Sequence, residues 1–318
     1  MEDADLVDAV RVLVCDPIHP EGLEALRSAG LIVDERTKIE KDELLKLIPD
    51  YEVIIVRSRT RVDSTVLRAG SRLKVVARAG IGLDNIDLQT ARELGIKVLN
   101  TPEASTEAAA ENTIALLLAL ARQIPRADRA MKEGMWIKRE LVGWELKGKT
   151  LGIIGFGRIG RRVAEIAHAF GMKIMATKHV REPPKELVER IGAKIVPIGR
   201  VEELLAEVDV VSLHMPLTPE THHFMNRERF NAMRDGSYLI NTSRGGLVDE
   251  EALLEALKSG KLAGAALDVY EEEPPKNLEL IRMPNVICTP HISAQTREAQ
   301  RRISITLAQK ILDAIHEH

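Results

Sequence analysis

The run TLGIIGFGRIGRRVAEIAHAFG, residues 150 to 171, restricts the fold more than any other part of the sequence. An apolar segment too short to be a helix passes straight into three glycines, and then into a segment whose apolar residues recur at helical period. Strand, tight turn and helix in that order form the βα unit of a parallel sheet. Gly155, Gly157 and Gly160 have the GxGxxG spacing, and each has its own task. The first permits the turn, the second lets backbone approach a pyrophosphate, and the third lets helix and strand pack closely. The N–H groups that open the helix, at Arg158 and Ile159, have no partner inside it and can bind an anion. The stretch predicts a dinucleotide-binding unit.

The rest of the chain repeats this plan. From Arg11 to Leu99, apolar runs (RVLVC, LIV, VIIV, LKVVA, KVL) alternate with segments of helical period such as EGLEALRSAG, DELLKLI and DLQTARELG. The alternation resumes at LGIIG, KIMAT, AKIV, VDVVSL, SYLIN, AGAAL and NVICT. Between the two stretches, STEAAAENTIALLLALARQ reads as a long helix broken by Pro125. The last segment, QTREAQRRISITLAQKILDAIHEH, is helical with no strand after it, so it is expected to pack back on the first unit. At 318 residues the chain exceeds one ordinary core. The expected fold is α/β, with two doubly wound parallel-sheet domains. Residues 1–100 and 291–318 would form a discontinuous, flavodoxin-like substrate domain, residues 101–290 a Rossmann dinucleotide-binding domain, and the cleft between them the ligand site.

In sites that prefer NAD, an acid that binds the ribose 2′-hydroxyl stands about 20 residues beyond the glycines. Here that place, in KIMATKHVREPP, holds Lys178, with His179 and Arg181 beside it. Without a carboxylate to repel it, a 2′-phosphate would gain charge-assisted hydrogen bonds, so NADP(H) is expected over NAD(H). The competing reading is a solvated loop whose basic residues face water, with Glu182 neutralising part of their field.

Composition excludes other classes. A net charge of -3 and 29% charged residues describe a globular chain without a basic tail, which argues against nucleic acid as a partner. The acidic N-terminal residues lack a basic leader, and TIALLLALA is too short to span a bilayer, so no membrane role and a cytoplasmic location are expected. Cys15 and Cys288 lie in apolar runs and read as reduced thiols, with no metal site.

Eight stretches resemble one family: RSRT (57–60), ARAGIGLDNID (77–87), NTPEAS (100–105), GFGRIG, HMPLTPET (214–221), NTSRGGLVDE (241–250), GAALDVYEEEPP (264–275) and TPHISAQT (289–296). They are similar to the D-isomer-specific 2-hydroxyacid dehydrogenases over nearly the whole chain. The resemblance implies that His291 is the acid-base group, Glu273 its paired carboxylate and Arg244 the arginine that holds the substrate carboxylate. It also implies that His214, Met215, Pro216, Thr242, Ser243, Ser293 and Ala294 line the cofactor site, and that Asp268 contacts the nicotinamide amide. These types suit the chemistry: imidazole titrates near neutrality, a carboxylate favours imidazolium, and a guanidinium fork matches a carboxylate. Taken singly, each has a bland alternative as a turn or strand-end residue.

Arg57, Ser58 and Arg59 follow an apolar strand and offer two guanidinium groups and a hydroxyl to a phosphate. The resemblance further implies that backbone N–H groups around Gly80 and Ile81 hold the substrate carboxylate, assisted by Asn100. Together with ARAGIGLDNID, RSRT makes the chain resemble most the members acting on a phosphorylated 2-hydroxy acid. Reductases of small keto acids in the same family, and a nucleotide-sensing protein on the same fold, stay open. Lys138 and Arg139 resemble positions that reach a neighbouring subunit's site, and a homodimer is expected. Longer members carry regulatory domains after the terminal helix, so regulation of that kind is not expected here. Many relatives have glycine where this chain has Ser293. A side chain there would either crowd the nicotinamide or donate to its carboxamide.

Overall fold

A computed structural model describes residues 9 to 178 and 182 to 316. The chain divides into two units, one made of residues up to Ser105 together with those from Ala294 onward, the other of Thr106–Ser293.

The first unit is built on five parallel strands: β1 (Arg11–Val14), β2 (Ile32–Glu35), β3 (Val53–Val56), β4 (Val75–Arg78) and β5 (Lys97–Asn100). Their order, β2-β1-β3-β4-β5, is the flavodoxin-like one, with its switch point between β1 and β3. A central parallel strand is covered on both faces, which is why β3 reads VIIV without alternation and is wholly buried. Edge strand β2 carries Asp34 and Glu35 instead. The helix Arg297–His316 sets Ile303, Leu307, Ile311 and Ala314 at helical spacing against Val12, Val14, Val53 and Ile55 of the sheet. It also lies close on the helix Pro20–Ser28, where a Cβ on Gly22 would meet the Ser304 carbonyl oxygen at 2.7 Å.

The second unit has seven parallel strands: β6 (Thr150–Ile154), β7 (Lys173–Lys178), β8 (Lys194–Pro197), β9 (Val210–Leu213), β10 (Ser237–Asn241), β11 (Leu262–Leu267) and β12 (Val286–Cys288). The order β8-β7-β6-β9-β10-β11-β12, counted from the unit's own first strand, is the Rossmann 3-2-1-4-5-6 with one strand added. Successive residues of a strand enter opposite cores: Ile153, Val210 and Ile240 pack with Leu117 and Val163, whereas Ile154, Val211 and Leu239 pack with Leu204 and Phe230. The carboxyl ends of β6 and β9 flank the switch point, where ligands bind in open sheets of this kind.

The long helix breaks two residues before the place expected from sequence. Thr106–Arg122 ends at Gln123, whose φ of 52° is left-handed, and Pro125 sits in the first turn of the next helix, Ile124–Lys132. A proline there forfeits no hydrogen bond, so it starts a helix instead of ending one. Both cysteines are free, and burial pushes the Cys15 thiol up to about 12. Among the described residues no helix is long and apolar enough to cross a membrane.

Candidate active site

The glycine turn at the end of β6 shows why each glycine is needed. Gly155 has φ 100°, and a Cβ there would lie 2.5 Å from the His214 carbonyl oxygen at the end of β9. Gly160 rests on the Gly155 carbonyl and on Ile153, so helix Arg158–Ala169 can touch the strand. Gly157 caps that helix with nothing within 4 Å of its missing side chain. An open backbone at a helix N-terminus, beside unpartnered first-turn N–H groups at Arg158 and Ile159, suits a pyrophosphate. One residue that the motif does not name completes the turn: the buried Thr177 hydroxyl accepts from the Gly155 N–H at 3.0 Å.

Lys178, at the end of β7, is half-buried and forms an ion pair with Glu182. The carboxylate named in the solvated-loop reading is thus its partner. His179 and Arg181 lie outside the described residues. At the end of β9, burial holds the His214 imidazole neutral, at about 3, and its Nε2 meets the Ser212 hydroxyl at 2.8 Å. The Met215 carbonyl accepts from the Ser243 hydroxyl and that of Pro216 from the Thr221 hydroxyl. Thr242 shares a hydrogen bond of 2.8 Å with Thr113.

Three loops of this unit bring Arg244, Glu273 and His291 into one electrostatic cluster. Glu273 Oε2 lies 2.8 Å from His291 Nδ1. Burial alone would raise the Glu273 carboxyl, but the hydrogen bond and charge of His291, the Tyr270 N–H and the charge of Arg244 outweigh it and hold the group below its ordinary range. The turn carrying Arg244 is fastened by Asn241, fully buried, which donates to the Arg244 carbonyl at 2.8 Å and accepts from the Ser243 N–H at 3.1 Å. Gly245 is required because that turn lies directly on the Tyr270 backbone, where a Cβ would overlap the carbonyl. His291 has a left-handed φ of 52° and a partly exposed side chain. Asp268 is fully buried and accepts four hydrogen bonds, from the Thr289 hydroxyl, the Ile292 and Ser293 N–H groups and the Ser293 hydroxyl.

The first unit carries the other expected residues at the carboxyl ends of its strands. Asp16, after β1, is 1% exposed and organises the RSRT turn, accepting from the Arg57 N–H at 2.6 Å, Arg59 Nε at 2.9 Å and the Thr60 hydroxyl at 3.0 Å. Arg59 also donates to the carbonyls of Cys15, Thr37 and Ile39. Its guanidinium is therefore part of the scaffold, and the expected pair of arginines reduces to Arg57. Among the described residues the Arg57 guanidinium has no hydrogen-bond partner, and burial lowers its pKa against the opposing charge of Asp16. Ser58 is exposed. Gly80 has φ 146° and is covered by the Arg78 guanidinium, which occupies the place of a Cβ. Asn100 donates to the Ile81 carbonyl at 2.7 Å, and among the described residues the Ile81 N–H has no acceptor. Ala294 packs in the core of this unit, and Lys138 and Arg139, in the second unit, are exposed.

The family model described as "D-isomer specific 2-hydroxyacid dehydrogenase, NAD binding domain" matches residues 114–293. A hydroxypyruvate reductase of Thermotoga maritima is 49% identical over 304 residues, 95% of this chain and 97% of that protein. A D-3-phosphoglycerate dehydrogenase of Archaeoglobus fulgidus is 45% identical over 305 residues, 96% of this chain, which spans only 57% of that protein's length. Among solved structures, D-lactate dehydrogenase from Aquifex aeolicus complexed with NAD and lactic acid superposes with a TM-score of 0.83 at 35% identity, covering 96% of this chain and 95% of the other.

Proposed function

The chain belongs to the D-isomer specific 2-hydroxyacid dehydrogenases, and from that premise we propose that it oxidises D-3-phosphoglycerate to 3-phosphohydroxypyruvate, the reaction that opens serine biosynthesis. The observation that carries this reading is Arg57: a guanidinium withdrawn from water without a partner of its own is poised for an anion stronger than a carbonyl, and a phosphate is such an anion. Asp16 and Arg59 hold the turn that presents it.

The turn at Gly155, Gly157 and Gly160 fits a dinucleotide by its open backbone. When bound, the nicotinamide supplies the hydride acceptor. His291 takes the hydroxyl proton on Nε2, the nitrogen that Glu273 leaves available, and Glu273 stabilises the imidazolium that forms. Arg244 holds the substrate carboxylate through its planar fork, whereas the Gly80 N–H, expected to hold that carboxylate, is already taken by the Arg78 carbonyl at 2.9 Å. Lys178, which stands where an acid would bind the ribose, favours NADP(H), with Glu182 as the competitor that a 2′-phosphate displaces. The protein acts in the cytoplasm as a homodimer. The exposed apolar side chains of Met131, Met135, Trp136 and Val142, the last two 77% and 79% exposed, support a second copy as the partner of that face.

A second reading, reduction of hydroxypyruvate or glyoxylate with NADPH, is favoured by the Thermotoga relative, which matches nearly end to end. Steady-state kinetics with D-3-phosphoglycerate, 3-phosphohydroxypyruvate, hydroxypyruvate and glyoxylate, each with both cofactors, separates the two. A higher kcat/KM for hydroxypyruvate than for its phosphate ester would overturn the first reading.

A further inference from the structure

Two short segments of the second unit carry charged side chains of the cluster: residues 244 to 249, which begin with Arg244, and residues 270 to 273, which end with Glu273. A third segment, between β9 and the helix Arg227–Ala232, holds the first of them by its backbone. The His223 N–H donates to the Gly246 carbonyl and the Met225 N–H to the Leu247 carbonyl, each at 2.8 Å, and the Asp249 N–H donates back to the Met225 carbonyl at 3.0 Å. The His222 imidazole lies over Gly246, where a Cβ would meet its Cδ2 at 3.5 Å, and stacks on the ring of His223 with centroids 4.0 Å apart. His223 also reaches the second segment, since its Nε2 lies 2.8 Å from Glu271 Oε1. An ionised carboxylate only accepts, so the Nε2 facing it carries the proton. Glu271 is in turn clasped by the buried Glu250: the Glu271 N–H donates to Glu250 Oε1 at 2.9 Å, and the Glu250 N–H donates to Glu271 Oε1 at 3.2 Å. His223 spans the two segments with a φ of 50°, a left-handed backbone that glycine adopts at less cost, so its side chain stands here against the backbone's preference.

We propose that His223 is a positioning residue: its main chain holds the turn of Arg244, its imidazole holds Glu271, and through both it keeps Arg244 and Glu273 in one arrangement. The inference rests on the dehydrogenase reading only for its kinetic arm. Glu271 stands two residues before Glu273, and a loop freed at Glu271 lets the Glu273 carboxylate drift from His291 and Arg244, two of the influences that hold it low against burial. The Glu273 carboxyl thus reports on the tie whether or not the protein turns over a substrate.

The variants are His223→Asn, His223→Gln, Glu271→Gln and the double variant His223→Asn with Glu271→Gln, each checked for folding by thermal melting. Asparagine tolerates a left-handed backbone but is too short to reach Glu271, whereas glutamine carries an amide donor on a longer chain. Three quantities are read: the Glu273 carboxyl titration by carbon NMR, the binding of NADH by calorimetry, and kcat and KM. His223→Asn is expected to move the Glu273 titration upward and to lower kcat about tenfold, with KM and the NADH binding constant within about twofold of the parent. His223→Gln recovers most of both losses. The double variant loses no more kcat than the worse of the two single variants, because each single change breaks the same contact. An unmoved Glu273 titration in His223→Asn overturns the proposal, and so do single losses that multiply in the double variant. A lower melting temperature with kcat and the titration unchanged overturns it as well, since that is what a merely structural residue would give. If the parent oxidises or reduces no 2-hydroxy or 2-keto acid, the functional reading falls, while the titrations of His223→Asn and His223→Gln still decide this one.

Discussion

Glu273 meets His291 through Nδ1, at 2.8 Å, and that choice of nitrogen decides which way the imidazole works. With Nδ1 committed to a carboxylate, Nε2 is the atom left to exchange a proton with the substrate hydroxyl in the proposed reaction. Replacing His291 by Ala is therefore expected to lower kcat by about a hundred- to ten-thousandfold while dinucleotide binding persists. Turnover close to the parent's would remove His291 from the chemistry.

The same pairing sets a pH effect on Glu273. Its carboxyl lies below the ordinary range in the folded chain, so its contribution to stability is present above the unfolded carboxylate pKa and is lost as pH falls through the lowered one. In His291→Ala the opposing influence of burial, the largest on this group, is left with weaker competition, and the carboxyl should titrate at higher pH. Carbon NMR of labelled glutamate checks the direction. A titration that stays in place would mean that His291 does not hold Glu273 down.

Arg57→Ala is expected to weaken a phosphorylated substrate by about 1.5 to 3 kcal/mol, roughly one to two decades, and glyoxylate far less. The comparison of KM for 3-phosphohydroxypyruvate and glyoxylate tests it. Equal weakening of both would transfer the anion-binding role from phosphate to carboxylate and favour the reductase reading.

Lys178→Asp combined with Arg181→Ala should shift the ratio of kcat/KM for the two cofactors toward NAD(H). The change removes two cations and adds a carboxylate that can accept from a ribose hydroxyl. The measurement belongs at low ionic strength, where exposed charges are least screened. A parent that already prefers NAD(H) would show that the ion pair of Lys178 and Glu182 is a surface feature unrelated to the cofactor.

Trp136→Glu is expected to weaken self-association by at least about 2 kcal/mol, roughly thirtyfold in the dissociation constant, because large aromatic anchors dominate such faces. Sedimentation velocity over a dilution series reads the effect. A parent that sediments as a monomer at micromolar concentration would sink the homodimer.

What could be read from sequence was whatever depends on neighbours along the chain. The strand VIIV, the glycine turn and the helix after it are short-range patterns, and they fix both sheets' parallel character because a buried parallel strand needs no alternation. The tie of Arg59 to Asp16, 43 positions away, could not be read, because nothing near Arg59 announces a carboxylate. A hydrogen bond from Asn112 to Ser293 spans 181 positions and was invisible for the same reason. Thr177 and Asn241 went unnoticed as well: they are ordinary strand-end polar residues whose work is to hold a turn from beneath. Gln123 shows a different limit, since a left-handed residue other than glycine carries little sequence signal, and the nearby proline drew attention to the wrong bond.

The helix Arg297–His316 imposes an order on synthesis. Residues 106 to 293 contain everything that the seven-stranded sheet and its covering helices need, so that unit can close while the chain is still being made. The five-stranded sheet cannot. Val12, Val14, Val53 and Ile55 emerge early, yet Ile303, Leu307 and Ile311, which cover them, emerge only after the whole second unit. Until then one apolar sheet face has no lid, and the nascent chain at that stage is a natural client for a chaperone that binds exposed valine and isoleucine.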